Sequence, residues 1–259
     1  MATFVPYDAS QWEPWHFVAW VATIVAAMHL LNVIIPAAFE GRSAPIEIRG
    51  KHLDVLGSTD LFCIWFNRFA STLFVYHCVR MCWLVDSVAW GWDTLTVRNS
   101  LGSLLSFYVV YDLVYTLFHR ALHHRAVYHL VHKHHHKQKA PSRGNTDAIN
   151  VHPFEFVCGE YLHLLCVWLV PCHVSAVVTF VVAGGVFASL NHTRFDVSVF
   201  SPAIYTVKNH DVHHRLPESN YGQYIMLWDY VFGSYRPYTE KIDADEPMAT
   251  RDSTAKKIC

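Results

Sequence analysis

The sequence predicts an all-α fold, a polytopic integral membrane helical bundle, and three observations predict it. Of the 259 residues, 53% are apolar and 16% charged, whereas average globular domains sit near ~45–50% and ~25%. Four apolar stretches are long enough to cross or deeply enter a bilayer. The lysines and arginines are distributed unevenly over the loops between them. This composition excludes a disordered chain, a collagen-like repeat and a disulfide-dense secreted scaffold. With Lys+Arg at 20, Asp+Glu at 21 and a formal net charge of −1, no global charge draws the chain to nucleic acid.

The first stretch, about residues 15–38, carries no formal charge and is long enough to span a ~30 Å hydrocarbon core as a helix. Trp12, Trp15 and Trp20 stand where an aromatic belt would lie. A cleavable signal peptide fits less well, because the first Lys or Arg is Arg42. The second stretch, about 61–85, contains Arg68 and Arg80. Both are expected toward its ends, snorkelling to the headgroups. The third, about 101–118, holds one acid, Asp112. The fourth, 154–190, is broken at Pro171-Cys172-His173 and reads as two spans or a re-entrant hairpin with both ends on one side. Glu160 and His163 in its first arm predict a shallow or interfacial start. The seven cysteines include no C-x-x-C and read as buried thiols.

Seventeen of the twenty lysines and arginines fall in 40–60, 119–153 and 191–259. The positive-inside rule makes that face cytosolic and the N-terminus lumenal. The ending Lys256-Lys257-Ile258-Cys259 resembles a dilysine retrieval signal of endoplasmic reticulum membrane proteins, which requires a cytosolic C-terminus. The chain divides into an N-terminal membrane region (1–100), a domain over 101–236 and a cytosolic tail (237–259).

Nineteen histidines need a role, and eight of them lie between 119 and 136. His119 and His123 form H-x3-H. His132, His135 and His136 form H-x2-HH, and His210, His213 and His214 repeat it. Positions i, i+3 and i+4 share a helix face, so each triplet is expected to aim its imidazoles one way. Nine residues separate His123 from His132, half a turn out of phase at 3.6 residues per turn. The chain must therefore bend near 125–129, or the sets lie on separate converging helices. With His192, in Ser-Leu-Asn-His after the fourth stretch, nine imidazoles exceed one ion and suit two. This is a histidine-rich helical metal site on the cytosolic side. Imidazole accepts Zn, Cu, Fe or Ni, so the count does not name the metal.

The three boxes, in this order, resemble the membrane-bound fatty acid hydroxylase/sterol desaturase superfamily. Their neighbours resemble it as well: Tyr111-Asp112, His119-Arg120, His132-Lys133, His152-Pro153-Phe154-Glu155, Asn220-Tyr221-Gly222 and Trp228-Asp229-Tyr230-Val231-Phe232-Gly233. The similarity runs from about 101 to 236. It implies a catalytic domain with two iron ions, zinc being a substitute in isolated protein. It also implies an O2-dependent oxidoreductase in the endoplasmic reticulum membrane that hydroxylates or desaturates a fatty acyl, sphingolipid or sterol substrate in lipid biosynthesis. External electrons would come through cytochrome b5 and its reductase as separate partners, since no His-Pro-Gly-Gly haem motif is present.

On this reading the metal ligands are His119, His123, His132, His135, His136, His192, His210, His213 and His214. Asp112, Glu155 and Asp211 are candidates to accept the imidazoles' second N–H. His124, His129, His134 and His152 are expected outside the ligand set. His16, His29, His52, His77, His163 and His173 are expected to be solvated, interfacial or hydrogen-bonded within the bundle. The rival reading is a zinc-dependent membrane enzyme or a metal-handling membrane protein. A transporter would set its histidines deep in the spans, whereas these boxes lie beside them.

Overall fold

The computed structural model describes residues 12–48, 55–202 and 204–239. His52, the dilysine ending and most of the tail lie outside the described residues, as do Arg49 and Lys51. Nine α-helices follow in order among the described residues: α1 (Pro14–Phe39), α2 (Ser58–Leu84), α3 (Ser103–Leu122), α4 (Arg125–Tyr128), α5 (Asn145–Ala148), α6 (Pro153–Leu169), α7 (Val174–Asn191), α8 (Val207–Arg215) and α9 (Leu227–Phe232). A π-helical turn, Arg98–Gly102, leads into α3, and the second box forms a 3₁₀ helix over His132–Lys137. Strand is limited to two-residue pairs.

The molecule is a membrane helical bundle, and its burial pattern is that of a protein solvated by lipid. Large apolar side chains face outward, among them Phe17, Val33, Phe62, Trp65, Phe69 and Val182. Asn67, Ser71, Thr72, Asp112 and Thr116 are buried inside. In hydrocarbon, polar groups must find partners within the protein, which inverts the usual arrangement. Among the described residues, three helices are long and apolar enough to cross a membrane: Pro14–Phe39, Arg98–Leu122 and Val174–Asn191. Neither α2 nor α6 belongs to that set. Asn67, Arg68 and His77 dilute the apolar run of α2, and α6 has 17 residues.

α1 packs on α2 and α7, α2 on α6, and α3 on α6 and α7. The main core joins Cys78 and Cys82 of α2, Phe107 and Tyr111 of α3, Cys166 and Val167 of α6, and Val177 and Phe180 of α7. Trp20 Nε1 donates to the Thr72 carbonyl (2.9 Å), and Asn67 Nδ2 to the carbonyls of Ile149 and Val151 (2.8 and 2.9 Å). The six described cysteines are free thiols, five of them buried.

The fourth apolar stretch folds as a helical hairpin of α6 and α7. Its tip, Cys172–His173, pairs in parallel with Val88–Ala89 in the connection between α2 and α3. Ser103 Oγ adds a 2.8 Å bond to the Pro171 carbonyl. The tip thus reaches the far end of the bundle, and both hairpin ends return to the histidines. Two sequence expectations are corrected here. Glu160 and His163 do not mark a shallow, interfacial start. They lie well inside α6, where His163 packs between Phe74, Tyr111 and Phe180. Arg68 does not snorkel from an end of α2 either. It is buried, with its guanidinium over the Trp65 ring at 4.7 Å, a cation–π contact within the same helix. Arg80, near the end of the helix, is exposed.

Histidines outside the boxes have structural employment. His152 and His173 cap α6 and α7, each Nδ1 accepting from a backbone N–H (3.2 Å in both), and His124 caps α4. His77 bonds the Tyr161 hydroxyl (2.6 Å) and His163 the Tyr224 hydroxyl (3.0 Å). His134 lies against Asn150 Oδ1 (2.8 Å) and Asp60 Oδ1 (3.3 Å). His29 and His129 are exposed.

Candidate metal centre

Each histidine box is placed by a different local device. His119 occupies the last turn of α3, and His123 is the residue that ends it. The chain then bends through α4, as the phase argument requires, and enters the 3₁₀ helix of the second box. His192 terminates α7, and its carbonyl accepts the Gly144 N–H (3.0 Å). Gly144 itself adopts φ +56°, a conformation that glycine takes at no steric cost. The third box rides on α8, whose first turn is capped by Thr206 Oγ1 accepting from Lys208 N–H (3.4 Å).

The nine predicted histidines converge into two adjacent groups. His119, His123, His132, His136 and His213 form one; His135, His192, His210 and His214 form the other. Within each group the potential ligand atoms lie within 4.8 Å of one another. The expectation that each triplet aims its rings one way is corrected. The second box sends His132 and His136 to the first group and His135 to the second. The third box does the reverse, sending His210 and His214 to the second group and His213 to the first. In the α-helical third box, i lies closer in phase to i+4 than to i+3, so His213 diverges to the neighbouring group; the second box splits in the same way although it is 3₁₀.

The donor chemistry fits metal ions. His119 Nδ1 donates to the Tyr221 carbonyl (2.8 Å), His213 to Ser219 (2.7 Å), His214 to Gln138 (3.0 Å) and His192 to Ala188 (2.7 Å). A carbonyl only accepts, so in these rings Nδ1 carries the proton and Nε2 presents a lone pair. His132 Nδ1 lies 2.8 Å from Glu155 Oε1, a charge contact outside hydrogen-bond geometry. His119 Nε2, with its lone pair free, stands 3.1 Å from His132 Nε2, a pair of ring nitrogens that one cation could join. The other close Nε2 pairs stand 3.0–3.4 Å apart. Donors about 2.0–2.1 Å from one ion and roughly 90–110° apart have about this spacing.

Electrostatics keeps the rings neutral. Burial, followed by the neighbouring imidazoles, holds His135, His136, His210, His213 and His214 well below the ordinary imidazole range. His123 is pushed down to about 3 by burial, with His132 and Lys139 adding to it. Neutral imidazole is the form that ligates.

Of the three candidate carboxylates, only Glu155 meets an imidazole. Asp112 instead accepts backbone N–H groups of Gln223 (2.9 Å), Tyr224 (3.1 Å) and Ile225 (2.6 Å). Asp211 pairs with Arg194 (2.6 Å) and Arg215 (2.9 Å). The histidines' second N–H groups are met mainly by main-chain carbonyls, which side-chain identities cannot reveal. Asp229, a residue that sequence reasoning placed only within a motif, bonds the N–H groups of Tyr221 and Gly222 (2.9 and 2.8 Å) and the Ser234 hydroxyl (2.6 Å). Asp112 and Asp229 thus clamp the segment whose Tyr221 carbonyl orients His119.

A cavity of about 420 Å³ opens beside both groups, touching His119 of the first and His135, His192 and His210 of the second. Its walls come from α1, α2, α3, α6 and α7 and are mostly apolar. Replacing Glu155 by Leu is expected to weaken metal retention in the five-histidine group by about 10–100-fold, the usual cost of losing an imidazole's orienting partner. Chelator competition on the purified protein measures this.

The Fatty acid hydroxylase family profile matches residues 104–234. The chain is 32% identical over 148 residues to lathosterol oxidase of Rattus norvegicus, covering 56% of this chain and 47% of that protein. It is 30% identical over 154 residues to Delta(7)-sterol 5(6)-desaturase of Leptosphaeria maculans, covering 59% and 42%. Against very-long-chain aldehyde decarbonylase GL1-6 of Oryza sativa subsp. japonica, identity is 27% over 256 residues, 90% of this chain and 38% of that one. The chain therefore spans less than half the length of these relatives. No solved structure matches.

Proposed function

Because the chain belongs to the fatty acid hydroxylase family, we propose that it is an O2-dependent lipid oxidoreductase that hydroxylates or desaturates a fatty acyl, sphingolipid or sterol substrate in lipid biosynthesis. The observation that carries this reading is the mostly apolar cavity ending on both histidine groups. A metal-handling protein or a hydrolytic zinc enzyme has no need of an apolar chamber between membrane helices. The sterol relatives support a lipid substrate.

In this reading the nine histidines hold two iron ions, which supply the oxidising power that attack on an unactivated C–H bond requires. The chain's own residues do the rest. The Tyr221, Ser219, Gln138 and Ala188 carbonyls fix four ring tautomers, and Glu155 lies against the His132 ring. α1, α2 and α7 present apolar walls that align the lipid and exclude water. Residues 101–236 hold every histidine of both groups and act as the catalytic domain, while 1–100 contributes the cavity wall opposite them.

We place the histidine end at the cytosolic face of the endoplasmic reticulum membrane, with the N-terminus lumenal and the 237–259 tail cytosolic. Exposed Arg120, Arg125, Lys133 and Lys137 surround that end and offer a basic surface to a separate cytochrome b5-like donor and its reductase. The test is a lipid profile of cells with and without the protein under isotopically labelled oxygen. A species that gains one labelled oxygen or loses a pair of hydrogens is expected. Unchanged profiles in cells holding metal-loaded protein would overturn the reading.

A further inference from the structure

The cavity contains a polar element that the metal chemistry leaves unused. Glu160 of α6 and Ser71 of α2 both line it, and Ser71 Oγ donates to Glu160 Oε1 at 2.6 Å. The second carboxyl oxygen, Oε2, is buried without a hydrogen-bond partner. No lysine or arginine pairs with it among the described residues. Two neighbouring polar groups are committed elsewhere: the Tyr111 hydroxyl donates to the Gly159 carbonyl (3.1 Å), and His163 is held by Tyr224 and the Glu160 carbonyl. The lining also includes the apolar Ile24, Met28, Leu31 and Val75.

An unsatisfied buried oxygen is destabilising, and an acid between membrane helices marks a functional position. A carboxylate can only accept a hydrogen bond, while a carboxylic acid donates and accepts. An alcohol hydroxyl satisfies either form; a hydrocarbon satisfies neither. We propose that Glu160 is a specificity-determining residue that binds the hydroxyl of an alcohol-bearing lipid, whose apolar body fills the rest of the cavity. This deepens the lipid-oxidation reading and rests on it for the purpose of the site. A volume of about 420 Å³ falls within the ~300–1,000 Å³ of sites for compact small molecules. Glu160 lies five residues along α6 from Glu155, about 7.5 Å of helical rise. The hydroxyl is thus held away from the histidines, and the carbon presented to them lies several bonds further along the lipid.

The experiment measures binding to the purified full chain with its metals, using two matched pairs of probes: cholesterol against 5-cholestene, and 1-hexadecanol against hexadecane. Wild-type protein is expected to bind at least one alcohol on the order of tenfold more tightly than its hydrocarbon. The pair that shows the preference reveals whether the apolar body is a sterol or a straight chain. Glu160→Leu is expected to bring that ratio near unity with metal content unchanged. Glu160→Gln, which still donates and accepts, and Ser71→Ala, which frees the other oxygen, are expected to keep the preference. Should the leucine variant fail to fold, Glu160→Ala is read in the same way. No preference in wild type, or a full preference in Glu160→Leu, overturns the proposal. Binding is read without turnover. Absence of iron or of lipid oxidation therefore counts against the earlier reading alone, whereas no alcohol preference in wild type with oxidation intact removes only the role of Glu160.

Discussion

His213→Ala is expected to reduce the metal content of the purified chain from two ions to about one and to lower lipid oxidation at least a hundredfold. His213 Nε2 stands 3.1 Å from His136 Nε2 in the five-histidine group, and its own box places the other two rings in the neighbouring group. The substitution thus removes a donor from one ion and leaves the partners of the other intact. His135→Ala is the reciprocal case. Its ring lies 3.4 Å from His192 Nε2, and removing it depletes the four-histidine group. A ligand should cost more than the 10–100-fold typical of its orienting partners. Elemental analysis and a turnover assay on the same preparations check both quantities. Full metal and full activity in both variants would refute the assignment.

Asp112→Ala is expected to destabilise the folded protein by about 3–5 kcal/mol, the scale of breaking a buried charged network by removing one partner. Asp112 is fully buried and receives three successive N–H groups, from Gln223, Tyr224 and Ile225. Alanine leaves them in a site that water does not reach, and each orphan costs about 1–3 kcal/mol. Thermal unfolding in detergent should show a midpoint lower by roughly 10 °C. Asp112→Asn retains one accepting oxygen and should lose about half as much. The damage should extend to metal retention, because the segment that Asp112 holds carries the carbonyl that orients His119. A midpoint unchanged in the alanine variant would show that the segment is held by other means.

Much of this site is written in the sequence as spacing. H-x3-H and the two H-x2-HH boxes name the nine residues that converge, and the phase argument places the bend after His123. The division between the groups is not written there. It depends on two short helices meeting so that each contributes its i+3 ring to the other's group. Asp112 and Asp211 were misread for a related reason. An acid near a histidine box suggests an imidazole partner, but here main-chain carbonyls meet the rings, and those acids hold backbone and arginines. The bundle is legible from composition, apolar length and charge placement, whereas the burial of Arg68 and His163 required knowing which helices pack against α2 and α6. The cavity is a property of that packing and has no local signature.

The reciprocal exchange of rings has a consequence for biogenesis. The second and third boxes are separated in the chain by the whole α6–α7 hairpin, yet each supplies donors to both groups. Neither group can be completed until the hairpin has entered the bilayer and brought residues 192–214 back beneath residues 119–136. Ions seated there would close a long loop as a staple does, joining segments that translation delivers far apart. Metal uptake would then report on insertion: a chain with a misplaced hairpin would have two half-built nests of donors and hold neither ion firmly.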